Sequence, residues 1–470
     1  MRNLHFLYTL LFGVAVLLFF GLAYPHHLHY QEQFQLFLFD NNYVWDIVKR
    51  PGGVADLLGR FCTQFFLYAW VGAAIIAVLL VAVQLLTLRL LNFQFSIFNF
   101  QLLYGLSFVP SLLLWLFLLD ENALLGGVWA VLFTLHVVGM FLHRPVGWLR
   151  RSQLVVAIVL LYWLVGPLWV PADGMTLGTH YHRYPTVTPW LLWAASLFVV
   201  VVPLAVRACR RRTDVAPSSS LISHLSFLFV AVVMGVLVWK NANMKAERVM
   251  GYDFMARYQQ WNRILETINR EKPNNQIGVT VQNLALGMHG QLVDHLFDYN
   301  QNGLLGLLPD VGTDATSPLP TAEAFYQLGM TSVAQRTVFE AQEAILDFQK
   351  SGRCYKRLAQ TYLIQGDYAV ARKYLAALQK TLFYRAWANE TLPLLGDEAA
   401  IAKHPEYGRL RQMGYKEDFY FGDHVTADML ERLYFSNTDN RLAFQYLVAY
   451  YMLTGDRDGY TNLLQKLQKP

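Results

Sequence analysis

Cysteine is scarce: the 470 residues hold three, Cys62, Cys209 and Cys354, and no two stand at CxxC spacing. That excludes a cysteine-based metal or redox centre and leaves small buried thiols as the expected role. The phosphate-cradling glycine loop, the zinc-protease HExxH, the nucleophile elbow and the protein-kinase motif set are also missing. Charge is thin in the first half, where residues 1–244 carry 14 Lys/Arg and 8 Asp/Glu against 24 and 25 in residues 245–470. No Asp, Glu, Lys or Arg lies deep in a long apolar run, and His136 and His224 are the main ionisable exceptions. Transporters and ion pumps rely on buried charges or broken helices near the midplane, so this absence argues against transport, although Pro110, Pro167 and Pro203 leave room for kinks. After Lys240 long apolar runs are themselves absent. Nucleic acid is not indicated, because the basic residues of the first half flank apolar runs instead of forming a soluble basic face.

What is abundant is apolar surface, at 55% of residues, concentrated before Lys240. Seven runs have the length and composition of membrane spans: Leu4 to Tyr24, Gln64 to Leu88, Leu102 to Leu119, Leu124 to Leu142, Leu154 to Val170, Trp190 to Val206 and Leu221 to Trp239. The first follows a single basic residue, Arg2, and leads into LAYPHH, which lacks an A-x-A-like cleavage site, so it is expected to remain as an uncleaved span. With seven spans, Arg2, Arg89, Arg144, Arg150, Arg151, Arg207, Arg210, Arg211 and Arg212 all fall on one side, opposed only by Asp214. Basic residues at span ends resist translocation, so that side is expected to be cytoplasmic, with the C-terminal half outside. Cys209 is then across the membrane from Cys62 and Cys354, which makes a structural disulfide improbable. Trp and Tyr near span ends, such as Tyr24, Trp70, Trp148, Trp169, Trp190 and Trp239, suit interfacial belts.

The expected fold is all-α: a seven-span transmembrane bundle over residues 1–243, then a soluble helical-repeat domain over residues 244–470. The first outer loop, residues 25–63, places Phe34, Phe37, Val44, Ile47, Leu57 and Phe61 at helical spacing and is broken at Pro51-Gly52-Gly53, so two or three short interfacial helices are expected. Residues 244–270 read as one amphipathic helix. Beyond it, KRLAQTYLIQGDYAVARKYLAALQK places Leu358, Ala359, Tyr362, Gly366, Ala371, Leu375 and Leu378 at the packing positions of a tetratricopeptide repeat, and this half resembles that class. AEAFYQLGMTSVAQRTVFEAQ fits the same frame around Gly329, and Gly290 and Gly455 mark weaker copies. The interval from Gly366 to Gly455 must hold a further, irregular pair. Its aromatics, among them Tyr374, Trp387 and Tyr446, recur at helical spacing and read mainly as core. A solenoid of such pairs offers a concave surface to peptides or partner proteins.

Two groups of polar residues could carry chemistry. Glu32, Asp40, Asp46 and Asp56, with Lys49 and Arg50, follow the first span. Their layout resembles that of the membrane-integral glycosyltransferases of the C-type fold. The resemblance implies Asp40 or Asp46 as catalytic base toward an acceptor hydroxyl, with Lys49 and Arg50 holding the phosphate of a lipid-linked sugar. The bland account is that these acids are the wet faces of surface helices. His26, His27 and His29, with His180 and His182 in a later outer loop, are on one side and could meet around a metal, but the spacing is no recognised ligand signature. No metal or cofactor is expected.

Over its whole length the chain resembles members of an uncharacterised bacterial membrane family with a helical-repeat C-terminal half, through FDNNYVWDIVKRPGGVADLLGRFCTQFF and NRLAFQYLVAYYMLTGD. That implies the inner membrane, with the second half in the periplasm, and brings no activity. The leading functional expectation is an anchor presenting a platform for a partner protein in envelope assembly or secretion. The rival is the lipid-linked-sugar enzyme.

Overall fold

The computed structural model describes residues 2–94, 104–142, 156, 159–166, 181–184, 187–209, 220–310, 312, 314, 316–345, 349–417 and 425–468. Among these the chain is helical, and extended backbone pairs only as isolated bridges, Ala123 with His182 and Asn302 with Leu304. It divides into two compact units, Met1–Glu247 and Arg248–Pro470.

The first unit begins with helix α1 (Arg2–Leu18), which continues through a π turn at Phe19–Ala23. Three short helices follow, α2 (Pro25–Glu32), α3 (Asn41–Val48) and α4 (Gly53–Thr63), then the long α5 (Ala69–Gln94). Beyond these come α6 (Val109–Phe117), α7 (Gly126–Leu142), α8 (Trp190–Cys209) and α9 (Ser220–Asn241). Glycines let helix backbones approach closely. Gly21 lies under Trp70, whose ring would stand 2.7 Å from an added Cβ, and Gly59 of α4 meets the Gly126 backbone of α7, where an added Cβ would be 2.4 Å away. Val16, Phe20, Leu80, Phe108, Leu114 and Val131 fill the core.

The seven-span expectation is corrected. Among the described residues two helices are long and apolar enough to cross a membrane, His5–Ala23 and Ala69–Leu91. A third is added if Phe227–Asn241 and Met244–Arg257, bent by 60° at their junction, are one broken span. Tyr104–Phe117, Gly126–Met140 and Trp190–Ala205 are apolar but belong to the 10–17-residue class. The run Leu154 to Val170 and the arginines at 144, 150, 151 and 210–212 lie largely or wholly outside the described residues.

The second unit contains most of α10 (Met244–Arg257), then α11 (Trp261–Glu271), α12 (Gln276–Met288) and α13 (Leu292–His295). The single helix read over 244–270 is therefore corrected to two. It breaks where Gln259 takes φ +52°, which lets Ile264 and Ile268 bury against Tyr252, Met255 and Val281. Next come α14 (Pro318–Leu328) with α15 (Thr331–Glu343), and α16 (Gly352–Gln365) with α17 (Tyr368–Gln379). Four short helices follow, α18 (Arg385–Thr391), α19 (Glu398–Lys403), α20 (Tyr407–Met413) and α21 (Thr426–Ser436). The last are α22 (Arg441–Thr454) and α23 (Arg457–Gln468).

The hairpins α14/α15 and α16/α17 turn on left-handed glycines, Gly329 at φ +88° and Gly366 at φ +89°. At the first, Met330 N–H donates to Phe325 O at 2.9 Å and Gly329 N–H to Tyr326 O at 3.1 Å, the paired bonds that close a helix C-terminus. Side-chain caps on Ser351, Asp367 and Asn440 start α16, α17 and α22. Ala334, Ala341, Ala359 and Ala371 are fully buried between helices, as are Leu358, Leu375 and Leu378.

Candidate functional site

Several buried polar side chains of the first unit, His27, His29, Gln31, Glu32 and Glu247 among them, gather on and around α2. Glu247, at the last position of that unit, lies beneath the N-terminus of α2, where His26 N–H donates to Oε1 at 2.7 Å and His27 N–H to Oε2 at 2.9 Å. A Pro at the first position of the helix, Pro25, supplies no N–H, so the next two amides take the carboxylate. Beside it Tyr24 OH accepts from the Asn243 N–H at 3.2 Å. Burial pushes the Glu247 carboxyl up to about 7, against the pull of the two amides. His27 is fully buried and stacked on Tyr24, with ring centroids 4.7 Å apart. Burial pushes its imidazole down to about 4, against the Leu118 carbonyl and Asp120, and neither ring nitrogen makes a hydrogen bond of good geometry.

Next to this pair, residues 120–124 and 181–183 meet. Leu124 N–H donates to Tyr181 O at 2.9 Å and Arg183 N–H to Asn122 O at 2.8 Å. His182 Nε2 is 3.0 Å from Asp120 Oδ2, and His182 Nδ1 lies 3.1 Å from both the N–H and the carbonyl oxygen of Tyr184. Burial raises the Asp120 carboxyl, but the hydrogen bonds from His182 and Asn122 outweigh it and hold the group below the usual carboxylate range. Arg183 is 6% exposed and lays its guanidinium 3.5 Å from the Phe34 ring centroid. A void of about 10 Å³ between Arg183, Gln31, Gln35 and Thr63 has room for one water. Tyr181 OH donates to Val165 O at 2.9 Å, and an added Cβ at Gly166 would stand 2.5 Å from Pro51 O.

Asp40 accepts hydrogen bonds from the backbone N–H groups of Asn42 and Tyr43 and so caps α3. Asp46 pairs with Lys49 at 2.5 Å, and both side chains are about three-fifths exposed, at 61% and 62%. Arg50 is exposed on the same turn. Asp56 binds Arg60 through two bonds, at 3.0 and 2.8 Å, within α4. Asp40, Asp46 and Asp56 thus hold three separate local interactions. Of the histidines, His26 and His29 bring their Nδ1 atoms to 3.4 Å, His182 joins Asp120, and His180 lies outside the described residues. Among the described residues no three His, Cys, Asp or Glu side chains are placed to hold a metal ion.

Sequence reasoning passed over Glu247, Asp120 and Arg183 as site members. Glu247 is 220 positions from the His27 amide and Asp120 is 62 from His182, so no local spacing joins them. Chemically the cluster is closed. Both nitrogens of His182 are engaged, and the unengaged nitrogens of His27 are sealed from solvent. An apolar cavity of about 940 Å³ lies elsewhere, between α1 and α5, lined by Phe6, Leu10, Val14, Val78 and Leu85 with Thr9 and Tyr104 among them.

The sequence matches, over residues 1–470, a family model described as a family of unknown function, DUF6057. The chain belongs to that family. No curated protein and no solved structure matches it. Membership of DUF6057 spans both units and carries no activity, so function has to be argued from geometry.

Proposed function

We propose that this DUF6057 protein is a multi-pass anchor in a bacterial inner membrane that presents its second unit in the periplasm as a tetratricopeptide-like platform for a partner protein of envelope assembly or secretion. The observation that carries the reading is the run of helical hairpins from α14 to α17 with left-handed glycines at Gly329 and Gly366. Stacked hairpins of this kind expose one helix of each pair along a continuous face. The two membrane-length helices, the shorter apolar helices and the absence of charge in the apolar runs support an anchor that does not transport.

The lipid-linked-sugar reading draws less support. Asp40 accepts from two backbone amides and Asp46 is paired with Lys49, so both carboxylates are engaged locally.

The test is purification of the full-length protein in mild detergent with mass spectrometry of intact complexes. A stoichiometric protein that is lost on deleting residues 245–470 is expected. A bound polyprenyl-phosphate lipid without protein, together with loss of a glycan product in Asp40→Ala, would overturn the platform in favour of the enzyme.

A further inference from the structure

The cavity of about 940 Å³ between α1 and α5 is used by none of the groups described so far. It lies between the two helices long enough to cross a membrane, His5–Ala23 and Ala69–Leu91. They run antiparallel: Thr9 Oγ1 donates to Gln84 Oε1 at 3.2 Å, a Cβ on Gly13 would stand 3.1 Å from Val81, and Gly21 lies under Trp70. Ala77, 7% exposed, lies at the floor, while Phe6, Leu10, Val14, Val78 and Leu85 are 41–72% exposed, so among the described residues the cavity is a groove open along one side. The polar members of its lining, His5, Thr9 and Tyr104, are confined to the end at Leu88. There Tyr104 OH donates to His5 O at 2.6 Å and lies 3.0 Å from Thr9 Oγ1. Arg89 is exposed at the same end, and at i+4 from Leu85 it shares the side of α5 that borders the groove.

Apolar walls do not hold water, and between membrane helices the medium that fills them is hydrocarbon. At ~1.5 Å per residue the wall from Ala74 to Leu88 is about 21 Å long, against ~15 Å for the depth of one leaflet. Spread over that length, 940 Å³ is a mean cross-section of about 45 Å². A helix with its side chains is about 10–12 Å across, or about 80–110 Å², and is too wide to enter. Hydrocarbon chains touch at carbon separations of ~4 Å, so two extended chains side by side match the groove. Resting on the anchor reading above, we propose that the groove binds one diacyl phospholipid of net negative charge. Its two chains lie along α1 and α5, and its phosphate sits at the end formed by His5 and Tyr104, paired with Arg89. Cross-section selects the chains, and charge complementarity selects the headgroup. A lipid held by α1, α5 and Tyr104 together differs from the lipids that merely ring a span.

The experiment is native mass spectrometry of full-length protein, delipidated in mild detergent and titrated with dioleoyl phosphatidylglycerol or with dioleoyl phosphatidylcholine, which has the same chains and no net charge. One phosphatidylglycerol per chain is expected to bind about fivefold more tightly than phosphatidylcholine, the share of one arginine at a headgroup. Arg89→Gln should remove that preference and leave phosphatidylcholine binding unchanged. Val78→Trp and Ala74→Phe, both at exposed positions in the groove, should weaken both lipids at least about tenfold. Val232→Trp, at an exposed position of α9 outside the groove, should change neither. Equal binding of the two lipids by wild type, a preference that survives Arg89→Gln, or an equal effect of Val78→Trp, Ala74→Phe and Val232→Trp would overturn the site. A protein that co-purifies with wild type and is lost in Val78→Trp would also overturn it, in favour of a groove that seats a partner's helix. If alkaline carbonate strips the wild-type protein from membranes, the anchor reading is what fails. If the protein stays in the membrane and shows no lipid preference, the anchor stands and this site fails.

Discussion

Glu247 and His27 meet through one backbone amide, and their shifts oppose each other. The Glu247 carboxyl rises from 4.5 to about 7. A raised carboxyl adds stability that is complete below 4.5 and is lost as pH climbs through about 7. The His27 imidazole falls from 6.5 to about 4. A depressed imidazole adds stability that is complete above 6.5 and is lost as pH drops through about 4. Each shift corresponds to about 3 kcal/mol, so between pH 4.5 and 6.5 the two slopes nearly cancel. Glu247→Gln should leave an unfolding midpoint that rises with pH across this window, and His27→Phe one that falls with pH. Scanning fluorimetry of the detergent-solubilised variants measures both. Parallel curves for the two variants and wild type would show that neither group titrates as its surroundings dictate.

At the scale of the element, turn glycines were legible because each is set by its own few residues, as at Gly366 after the last turn of α16. The side-chain caps Ser351, Asp367 and Asn440 came from the structure. Two glycines at the ends of α16 separate conformation from packing. At Gly366 a Cβ would meet nothing within 4 Å, so Gly366→Ala should cost only the left-handed strain, about 1 kcal/mol. At Gly352 it would stand 2.5 Å from the Tyr384 ring, so Gly352→Ala should cost more, about 1–3 kcal/mol for overpacking. Urea unfolding of both variants ranks them, and a larger loss at Gly366 would contradict the assignment. The break after Arg257 was not legible. Tyr258-Gln259-Gln260 contains no Pro or Gly, and the helical pattern runs through it, yet burial of Ile264 and Ile268 against Tyr252 and Val281 outweighs the cost of one left-handed Gln259.

For the whole molecule, the second unit has apolar cores of its own, with Leu284, Phe325, Leu328, Leu430 and Tyr446 buried in the largest. Residues 248–470 expressed alone should be water-soluble, strongly helical by circular dichroism and cooperative in thermal unfolding. A broad, non-cooperative transition would show that the first unit is needed to complete that core. The spans illustrate the opposite dependence. Apolar length made Leu4 to Tyr24 and Gln64 to Leu88 recognisable, but the same criterion counted seven spans where the described residues show two, or three with the bent pair.

The sequence by itself determined what depends on neighbours along the chain. Helical class, the change in composition near Lys240 and the glycine-turned hairpins all follow from periodicity and φ preference. Tertiary structure alone decided what depends on residues far apart. It joined Glu247 to the amides of His26 and His27, Asp120 to His182, and Asp253 and Glu323 to Arg353 and Arg357. A charge in water needs no partner, so nothing in the sequence marks which ones will require one. Burial creates that requirement, and burial is a property of the packed chain.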